Sequence, residues 1–546
     1  MTRLLPVACL AFVFASPSLA SPQVWGLTVG SNKPEFMGDV APDGAGGAFF
    51  IGQTSGSLGG PHVSGYDIYL AHVSAAGSLT WQLQLGSFGN NNGECVVADG
   101  SGGCYLGSDT WGNLGAPPVG LADTAVVRVD AAGNVVWKRQ FGTTQMEMDT
   151  RVALDGAGGV ITACDSGAYL GNDRDVWIHR LDGNGNLLWE QTIGSSQGER
   201  LGDLVADGAG GAYLCGETNG DWAATNAGGF DGWICHIDAN GVVQWLVQDG
   251  TDGDDVFERM VLDGSNRLYV SGTTTGAFVG SNAGLEDVVV ARYDASGVRD
   301  WIRQIGGPDS DRTYGIGRDS LDGVVVVGST EGEFFGAQMG TGDFWMAQVR
   351  EQGTVAWGQQ SGTGQIDRAM GVCEAGPGRF IVVGDTEGSL FGQPSVGLRD
   401  LFVALYEACT FGVPQAYCPG EPNSTGAPVV LSNQGSTSLA LNDLRFTVAG
   451  GPAGQMGVMI LGTQQAQLPF GDGTLCLGGN VQRILPPVLL SSEGKGIHQV
   501  DFEDLTQPTS QITPSSTWFF QFWYRDPASS GADFNLSNGL SATFCP

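Results

Sequence analysis

Residues 123–142 read Asp-Thr-Ala-Val-Val-Arg-Val-Asp-Ala-Ala-Gly-Asn-Val-Val-Trp-Lys-Arg-Gln-Phe-Gly, and variants of this stretch recur along the chain. Its tryptophan belongs to a series spaced by 56 residues, with one step of 52: Trp25, Trp81, Trp137, Trp189, Trp245, Trp301 and Trp357. Its first aspartate belongs to a second series with nearly the same period: Asp67, Asp123, Asp175, Asp231, Asp287, Asp343 and Asp400. Such a period indicates one supersecondary element copied many times.

Each repeat contains four runs that read as strands. The first run ends in an Asp-Gly turn, as at Asp99, and the second is short and apolar. The third begins at the repeated aspartate, and the fourth contains the tryptophan, which we expect to pack between neighbouring units. Four antiparallel strands in every repeat predict the blades of an all-β propeller, an arrangement that leaves only short sheet edges.

The ends of the repeat region predict the number of blades. The seventh unit lacks a fourth strand, because the position 56 residues beyond Trp357 is Val413. Residues 23–30, with Trp25, read as a fourth strand that no other three precede. We therefore expect a seven-bladed β-propeller closed by the N-terminal strand.

Two stretches carry a resemblance to a known family. Residues 123–142 and the string Val-Ala-Asp-Gly-Ala-Gly-Gly-Ala-Tyr-Leu at 205–214 resemble the bacterial seven-bladed β-propeller repeat family of exported proteins, and the resemblance spans residues 22–410. The family implies a fold and no reaction. Pyrroloquinoline-quinone dehydrogenases share a similar rhythm, but they have eight blades and cofactor-binding residues that cannot be placed in this chain.

The chain divides into three segments. Residues 1–20 read as a signal peptide, with Arg3, an apolar run over 4–14 and a small-residue cleavage site at 18–20. The propeller is expected over 21–412. After a junction rich in proline and glycine, residues 413–546 predict a small β-sandwich. This last segment resembles an uncharacterised β module that ends many exported proteins of environmental bacteria.

Charge and hydropathy narrow the partners and the location. The formal net charge of −33 argues against nucleic acid, since phosphate binding requires a basic surface. No apolar run after residue 20 has the ~18 residues of a membrane span. We expect an exported protein, extracellular or at the cell surface, whose partner is a surface polysaccharide or a protein. The oligomeric state is left open.

The cysteines predict disulfide bonds. Ten of the eleven follow the signal peptide, an even number that favours disulfides in an exported protein. Cys95 with Cys104 and Cys215 with Cys235 are expected to close across hairpins. Elimination pairs Cys409 with Cys418 and Cys476 with Cys545, which leaves Cys164 and Cys373 free.

One repeated position is acidic in six of the seven repeats. Five residues after the glycine that ends each fourth strand lie Glu35, Asn91, Glu147, Glu199, Asp255, Asp311 and Asp367. Symmetry places these side chains around the mouth of the channel, so the six acids are candidate ligand-binding residues. The alternative is structural: the carboxylates accept backbone hydrogen bonds or pair with arginines such as Arg312. The Asp67 series is expected to satisfy backbone donors in the adjacent loop.

Cofactors and catalysis have weaker signals. The loops at 182–186 and 252–255 alternate oxygen ligands as calcium loops do, but other repeats lack those oxygens, so calcium is an alternative to having no cofactor. The pattern Gly-Ser-Ser-Gln-Gly at 194–198 lies in a loop rather than between a strand and a helix, and no catalytic residue is assigned. The sequence predicts a non-enzymatic scaffold or binding protein, which binds a polysaccharide, a protein or a cation at the face that carries the six acids. A hydrolase or lyase acting on an extracellular polymer, and a structural component of the cell envelope, are the alternatives.

Overall fold

Each repeat folds into a four-stranded antiparallel sheet. The computed structural model of the protein describes residues 23–168, 174–407, 414–434, 437, 439, 444–502, 504, 506–513, 516–529 and 531–544. They belong to two compact units, which we name the repeat domain (23–407) and the C-terminal module (414–544). The described part of the repeat domain contains seven such sheets.

The strands of the repeat domain follow the repeat closely. Strand β1 is Gln23–Val29. Sheets 1 to 3 contain β2–β5 (Glu35–Pro42, Ala48–Thr54, Asp67–Val73, Leu79–Leu85), β6–β9 (Asn91–Ala98, Cys104–Thr110, Asp123–Val129, Val135–Phe141) and β10–β13 (Met146–Leu154, Val160–Gly167, Asp175–Leu181, Leu187–Ile193). Sheets 4 to 6 contain β14–β17 (Glu199–Ala206, Ala212–Thr218, Asp231–Ile237, Val243–Asp249), β18–β21 (Asp255–Leu262, Leu268–Thr274, Asp287–Tyr293, Arg299–Ile305) and β22–β25 (Asp311–Arg318, Val324–Thr330, Asp343–Val349, Val355–Ser361). Sheet 7 contains β26–β28 (Asp367–Gly376, Arg379–Thr386, Asp400–Glu407).

Strand β1 completes sheet 7. It pairs antiparallel with β28, with Leu27 opposite Val403 and Val29 opposite Leu401. The sheet order is β1-β28-β27-β26, so β1 occupies the position that the tryptophan strand holds in the other sheets. The first strand β26 contacts β2 of sheet 1 as well as β22 of sheet 6. A shared core that includes Phe50 and Val383 packs sheets 1 and 7 together.

The Asp-Gly turns explain the abundance of glycine. In sheet 2, Asp99 Oδ1 accepts the backbone N–H groups of Ser101 (2.8 Å) and Gly103 (2.9 Å). Gly100 and Gly102 have φ values of +72° and +94°, a conformation that side chains strain. The turn therefore needs an aspartate to bind the backbone and glycines to bend it.

The tryptophans join neighbouring sheets. Trp137 packs on Gly185 of the next sheet, where a Cβ atom would lie 3.0 Å from the indole, and its Nε1 donates to the Gly183 carbonyl (3.1 Å). The other pairs are Trp25–Gly77, Trp81–Gly133, Trp189–Gly241, Trp245–Gly297 and Trp301–Gly353. A side chain in place of glycine would separate the sheets, so the tryptophan and the glycine of the next turn form one contact.

The C-terminal module consists of two layers. One sheet has the order β29-β39-β37-β32-β35, with β38 paired to β37, and the other has the order β30-β31-β36. A shared core, with Phe446 from the small sheet and Phe520 and Phe522 from the large one, lies between them. A hairpin, β33–β34, and a 3-10 helix at Pro508–Gln511 complete the described residues. The strands are β29 Gln415–Cys418, β30 Val430–Gln434, β31 Arg445–Ala449, β32 Met456–Gly462, β33 Gln464–Phe470, β34 Gly473–Gly478, β35 Gln482–Leu489, β36 Gly496–Gln499, β37 Thr517–Arg525, β38 Phe534–Leu536 and β39 Gly539–Thr543.

The two hairpin disulfides predicted in the repeat domain are wrong. Cys215 lies opposite Ile234 and Cys235 lies opposite Leu214, so the two thiols point to opposite faces of the sheet. Cys95 lies opposite Gly107, three residues from Cys104 along the strand, and again on the other face. All four are free and buried, as are Cys164 and Cys373.

The partners of two other cysteines were also predicted wrongly. Cys418 and Cys476 are bonded to each other, with an S–S distance of 1.97 Å. The bond closes a span of 58 residues within the C-terminal module. Cys409 and Cys545, their predicted partners, lie outside the described residues.

The cysteine assignment predicts the outcome of thiol mapping. Alkylation in denaturant without reductant should modify Cys95, Cys104, Cys215 and Cys235, because a free thiol becomes reactive once its burial is lost. Peptide mass spectrometry should recover Cys418 and Cys476 unmodified in one cross-linked species. Modification of Cys418 and protection of Cys215 would contradict the assignment.

Candidate functional site

The six acidic candidates lie at the start of the first strands of their sheets, Glu147 as the second residue of β10 and the others as the first, and are buried. None is more than 1% exposed, and the same holds for Asn91 in sheet 2. The backbone N–H of Asp255 donates to the Phe230 carbonyl of the preceding sheet (2.7 Å), and Asp311 donates likewise to Glu286 (2.8 Å). The equivalent bond occurs at all seven positions. This position therefore joins each sheet to the one before it.

The carboxylates accept hydrogen bonds from the loop that enters the sheet. Glu199 accepts from the backbone N–H and hydroxyl of Ser195 (2.6 Å each) and from the Thr218 hydroxyl (2.9 Å). Glu147 repeats this arrangement with Thr143 and Ser166. The structure thus places these acids where the structural alternative requires them, with their oxygens turned away from solvent.

Burial shifts the titration of this group. It raises the pKa of Glu35, Asp255 and Asp367 above the usual values, and it raises the pKa of Asp311 to about 6. The cause is loss of hydration, which disfavours the charged form and which the loop hydrogen bonds partly offset. Asn91 has no charge to bury, and its Nδ2 instead donates to the carbonyl of Tyr66 (3.3 Å).

The Asp67 series holds the long loops between second and third strands. Asp287 Oδ2 accepts the Ala283 backbone N–H (2.9 Å) and the Gln304 Nε2 (2.8 Å). Gln304 also donates to the Gly276 carbonyl (3.0 Å) and accepts from the Phe278 N–H (2.9 Å). The expected capture of loop donors by the aspartate is confirmed here.

The glutamine in this network was missed in the sequence. It stands three residues after the tryptophan in five repeats: Gln84, Gln140, Gln248, Gln304 and Gln360. In sheet 7 the equivalent residue is Thr28, and Gln393 from the loop reaches its backbone N–H instead (3.0 Å). The period of Trp-x-x-Gln was the signal that could have revealed it.

A polar cavity of about 130 Å³ lies among the first strands, and its charged lining was not predicted. It is lined by Asp39, Glu94, Arg151, Asp203 and Arg259, and by glycines on the side of sheets 6 and 7. Every first strand has a register shift near its middle, which locally bends the strand. A sequence signal for this lining existed, because the residue four positions after the acidic candidate is charged in four repeats: Asp39, Arg151, Asp203 and Arg259.

The charges in this cavity bind neighbouring strands. Asp203 accepts the Met260 N–H (2.9 Å), while Arg151 and Arg259 both donate to the Gly202 carbonyl (2.9 and 3.2 Å). Burial raises the pKa of Asp39 above its usual value. Among the described residues, no group of three or more histidine, cysteine or acidic side chains is arranged to hold a metal ion. The cavity has room for a few water molecules, and the charged side chains that line it join the first strands.

The loops form a separate surface. Those between second and third strands contact the loops that lead to the next sheet: Leu285 N–H donates to the Asp309 carbonyl (3.2 Å), and Gly229 N–H donates to Gly253 (2.9 Å). We name this surface the loop face; its segments are 30–34, 55–66, 86–90, 111–122, 142–145, 194–198, 219–230, 250–254, 275–286, 306–310, 331–342, 362–366 and 387–399. Both loop sets lie at the same end of the sheets.

The loop face has an apolar part and an acidic part. On sheets 7, 1 and 2, side chains that are 56–85% exposed form an apolar arc of Val396, Leu398, Val63, Phe88, Val119 and Leu121. On sheets 4 to 6, exposed carboxylates form an acidic arc of Asp221, Asp252, Asp254, Asp309, Glu331 and Glu333. Leu285 and Met339 add exposed apolar groups within the acidic arc.

The candidate calcium loops are turns held by their own hydrogen bonds. Asp182 Oδ1 accepts the N–H groups of Asn184 and Asn186 (2.9 Å each), as Asp99 does in its turn. Asp252 and Asp254 lie on the acidic arc. Calcium binding at either loop stays a prediction.

Comparisons with known proteins bear on the fold. A family described as a beta-propeller repeat matches residues 300–335, which span the last strand of sheet 5 and the first two of sheet 6. The chain therefore contains a β-propeller repeat. No curated protein matches the chain significantly.

Solved structures with similar sheets have different roles. The WD40 domain of Neurospora crassa Pan2 aligns with 71% of this chain and 97% of its own, at 11% identity and a TM-score of 0.40. An ulvan lyase of polysaccharide lyase family PL25 aligns with 70% of this chain and 96% of its own, at 9% identity and a TM-score of 0.43. Likenesses of this strength carry no information about ligand or reaction.

The pKa of Asp311 predicts a pH-dependent difference between two variants. A carboxyl whose pKa is raised by folding contributes stability below its unfolded pKa of 3.8 and loses it as pH rises through about 6. Relative to wild type, Asp311→Asn should therefore gain roughly 1–3 kcal/mol in free energy of unfolding between pH 4 and 6.5. Asn91 shows that the site accepts an amide.

Denaturant titrations at four or five pH values measure this difference. Glu333→Gln removes an exposed carboxylate of the same face and serves as the matched control, with a stability difference from wild type that stays nearly constant. A constant difference for Asp311→Asn as well would show that folding leaves the pKa of this carboxyl near its usual value.

Proposed function

We propose that this chain is an exported, non-enzymatic scaffold in which a seven-bladed β-propeller, closed by β1, binds a protein partner through its loop face. A β-propeller repeat supports a scaffold or binding role in general terms. The exposed apolar arc is the observation that supports this particular proposal. Several exposed apolar side chains gathered on one face of a domain are typical of an interaction surface.

Hydrogen bonds to the Asp67 series fix the backbone at three positions of the apolar arc. Val63, Val119 and Val396 are the residues whose N–H groups the Asp67 series captures, as in Val396 N–H to Asp400 Oδ2 (2.7 Å). With its backbone held in this way, each side chain is directed to solvent at little cost in loop entropy. Preorganised apolar groups favour association because less freedom is lost on binding.

The sheet arrangement supports closure of the propeller. The first strands contact one another in order from sheet 1 to sheet 7, and the first strand of sheet 7 contacts that of sheet 1. The pairing of β1 with β28 then places both ends of the repeat domain in one sheet. Such a pairing couples the stability of the first and last repeats.

The charge of the loop face favours a partner with basic as well as apolar groups. Six exposed carboxylates form the acidic arc, and oppositely charged surfaces accelerate and orient the encounter of two proteins.

Export is supported by the disulfide between Cys418 and Cys476, a bond that persists in oxidising compartments. Among the described residues, no helix has the length and apolar character of a membrane span.

The apolar arc predicts which variant loses its partner. Phe88→Ser, Leu121→Ser and Leu398→Ser together should reduce recovery of partner proteins from the source organism's extracellular fraction about tenfold or more, since apolar hot spots dominate interface energies. The measurement is quantitative affinity capture on immobilised full-length protein.

The control variant removes three exposed apolar side chains from another part of the repeat domain. Val136→Ser and Leu188→Ser change exposed residues on the fourth strands of sheets 2 and 3, and Val298→Ser changes an exposed residue next to the fourth strand of sheet 5. We expect recovery to match wild type. Equal losses with both triple variants, or no protein whose recovery depends on the arc, would count against the proposal.

A further inference from the structure

The C-terminal module contains an open groove that the proposed function does not use. Its volume is about 590 Å³, and its lining includes Met456, Val458, Pro487, Trp523, Arg525 and Phe534. It lies over the paired strands β32 and β37, on the side of the large sheet that faces away from the shared core. A groove of this size falls within the range of about 300–1,000 Å³ that is typical of small-molecule sites.

Trp523 and Phe534 of the groove lining belong to a cluster of three aromatic rings. Phe470, Trp523 and Phe534 contact one another, with centroid distances of 6.0, 5.2 and 5.7 Å between the pairs. The pairing of β37 with β38 sets Phe534 opposite Arg525, two residues from Trp523 on the same face. Phe470 is 40% exposed, so the cluster meets solvent.

Two arginines stand beside these rings. Arg483 places its guanidinium 4.9 Å from the centroid of Trp523, and Arg525 lines the groove. Neither has an ion-pair partner among the residues that the structure describes. Stacking on the indole keeps a guanidinium oriented without neutralising it, so its N–H groups are available to an anion.

Lysine and arginine are rare in the C-terminal module, so two arginines beside one groove determine its local charge. Residues 414–546 contain four lysines and arginines: Arg445, Arg483, Lys495 and Arg525. Lys495 pairs with Glu493 (2.8 Å), and Arg445 donates to the Gln499 side-chain carbonyl (2.5 Å). Of the other two, Arg525 lines the groove and Arg483 stacks on Trp523 of its lining, in a chain whose formal net charge is −33. The groove is therefore complementary to a ligand that combines a negative charge with a flat apolar face.

We propose that this groove binds an acidic polysaccharide through its uronic acid units. The C–H face of a sugar ring packs on Trp523 and Phe534, while its carboxylate accepts paired N–H groups from Arg483 or Arg525, the geometry that guanidinium groups favour. The exposed carboxylate of Asp533, also in the lining, accepts hydrogen bonds from sugar hydroxyls. This site is independent of the loop face and of its protein partner.

Affinity electrophoresis and calorimetry of the full-length protein test the proposal. The probes are polygalacturonate, alginate and hyaluronan, with dextran as the neutral polymer. Wild-type protein should bind at least one of the three acidic polymers and not dextran. Arg483→Gln with Arg525→Gln should weaken that binding about tenfold or more, since each charge-assisted pair contributes more than a neutral hydrogen bond.

A matched variant separates the site from general charge. Arg445→Gln with Lys495→Gln removes the same charge from the same module outside the groove and should leave binding unchanged. Both pairs are exposed, so each variant should keep the melting temperature of wild type. Failure to bind any of the three acidic polymers overturns the proposal.

Three further results would also overturn it. Equal weakening by both double variants would show attraction to net charge alone. Binding of dextran that persists in Arg483→Gln with Arg525→Gln would show a neutral saccharide site, and an unaltered affinity for the acidic polymer in that variant would place the polymer elsewhere. None of these results bears on capture through the apolar arc, which Phe88→Ser, Leu121→Ser and Leu398→Ser test separately.

Discussion

The repeat domain depends on hydrogen bonds that buried side-chain oxygens at the strand ends accept from the adjoining loops. At the start of each sheet, one residue donates its N–H to the previous sheet, and its side chain accepts from the loop between them. Each third strand begins at an aspartate that accepts backbone N–H groups from the long loop preceding it. Because unpaired backbone groups are costly to bury, this network decides where one sheet may meet the next.

The same network distinguishes acidic residues that are buried in hydrogen bonds from those that are exposed and can contact a ligand. Carboxylates at the strand ends are buried and hydrogen-bonded, and burial raises the pKa of several of them. The charged groups of the polar cavity among the first strands likewise bind neighbouring first strands. What is left for a partner is the loop face, where the captured loops direct aliphatic side chains to solvent and other loops present carboxylates.

The C-terminal module follows a different logic. Its core lies between two sheets, and one disulfide closes 58 residues of chain. Its recognition chemistry is outside that core, where aromatic rings and two arginines share a groove. The repeat domain thus offers apolar and acidic groups, while the module offers aromatic and cationic ones, so the two surfaces suit ligands of different chemistry.

Much of the fold was readable from the chain. The periods of Trp137 and Asp123 predicted four antiparallel strands per repeat and their order, because turn chemistry and alternation are local properties. The cysteine pairs failed, since whether Cys215 and Cys235 share a face depends on a register difference of one residue. The glutamines and the charged cavity were equally periodic, yet nothing local distinguishes them from surface polar residues.

By itself, then, the sequence determined the repeat, the strand order within it and the aspartates and glycines that its turns require. Tertiary structure decided which polar groups are buried, which thiols face each other and which apolar side chains remain exposed. The physical reason is range: turns and strands follow from neighbours along the chain, whereas burial, register and ion pairing depend on residues about 50 positions away, such as Trp137 and Gly185.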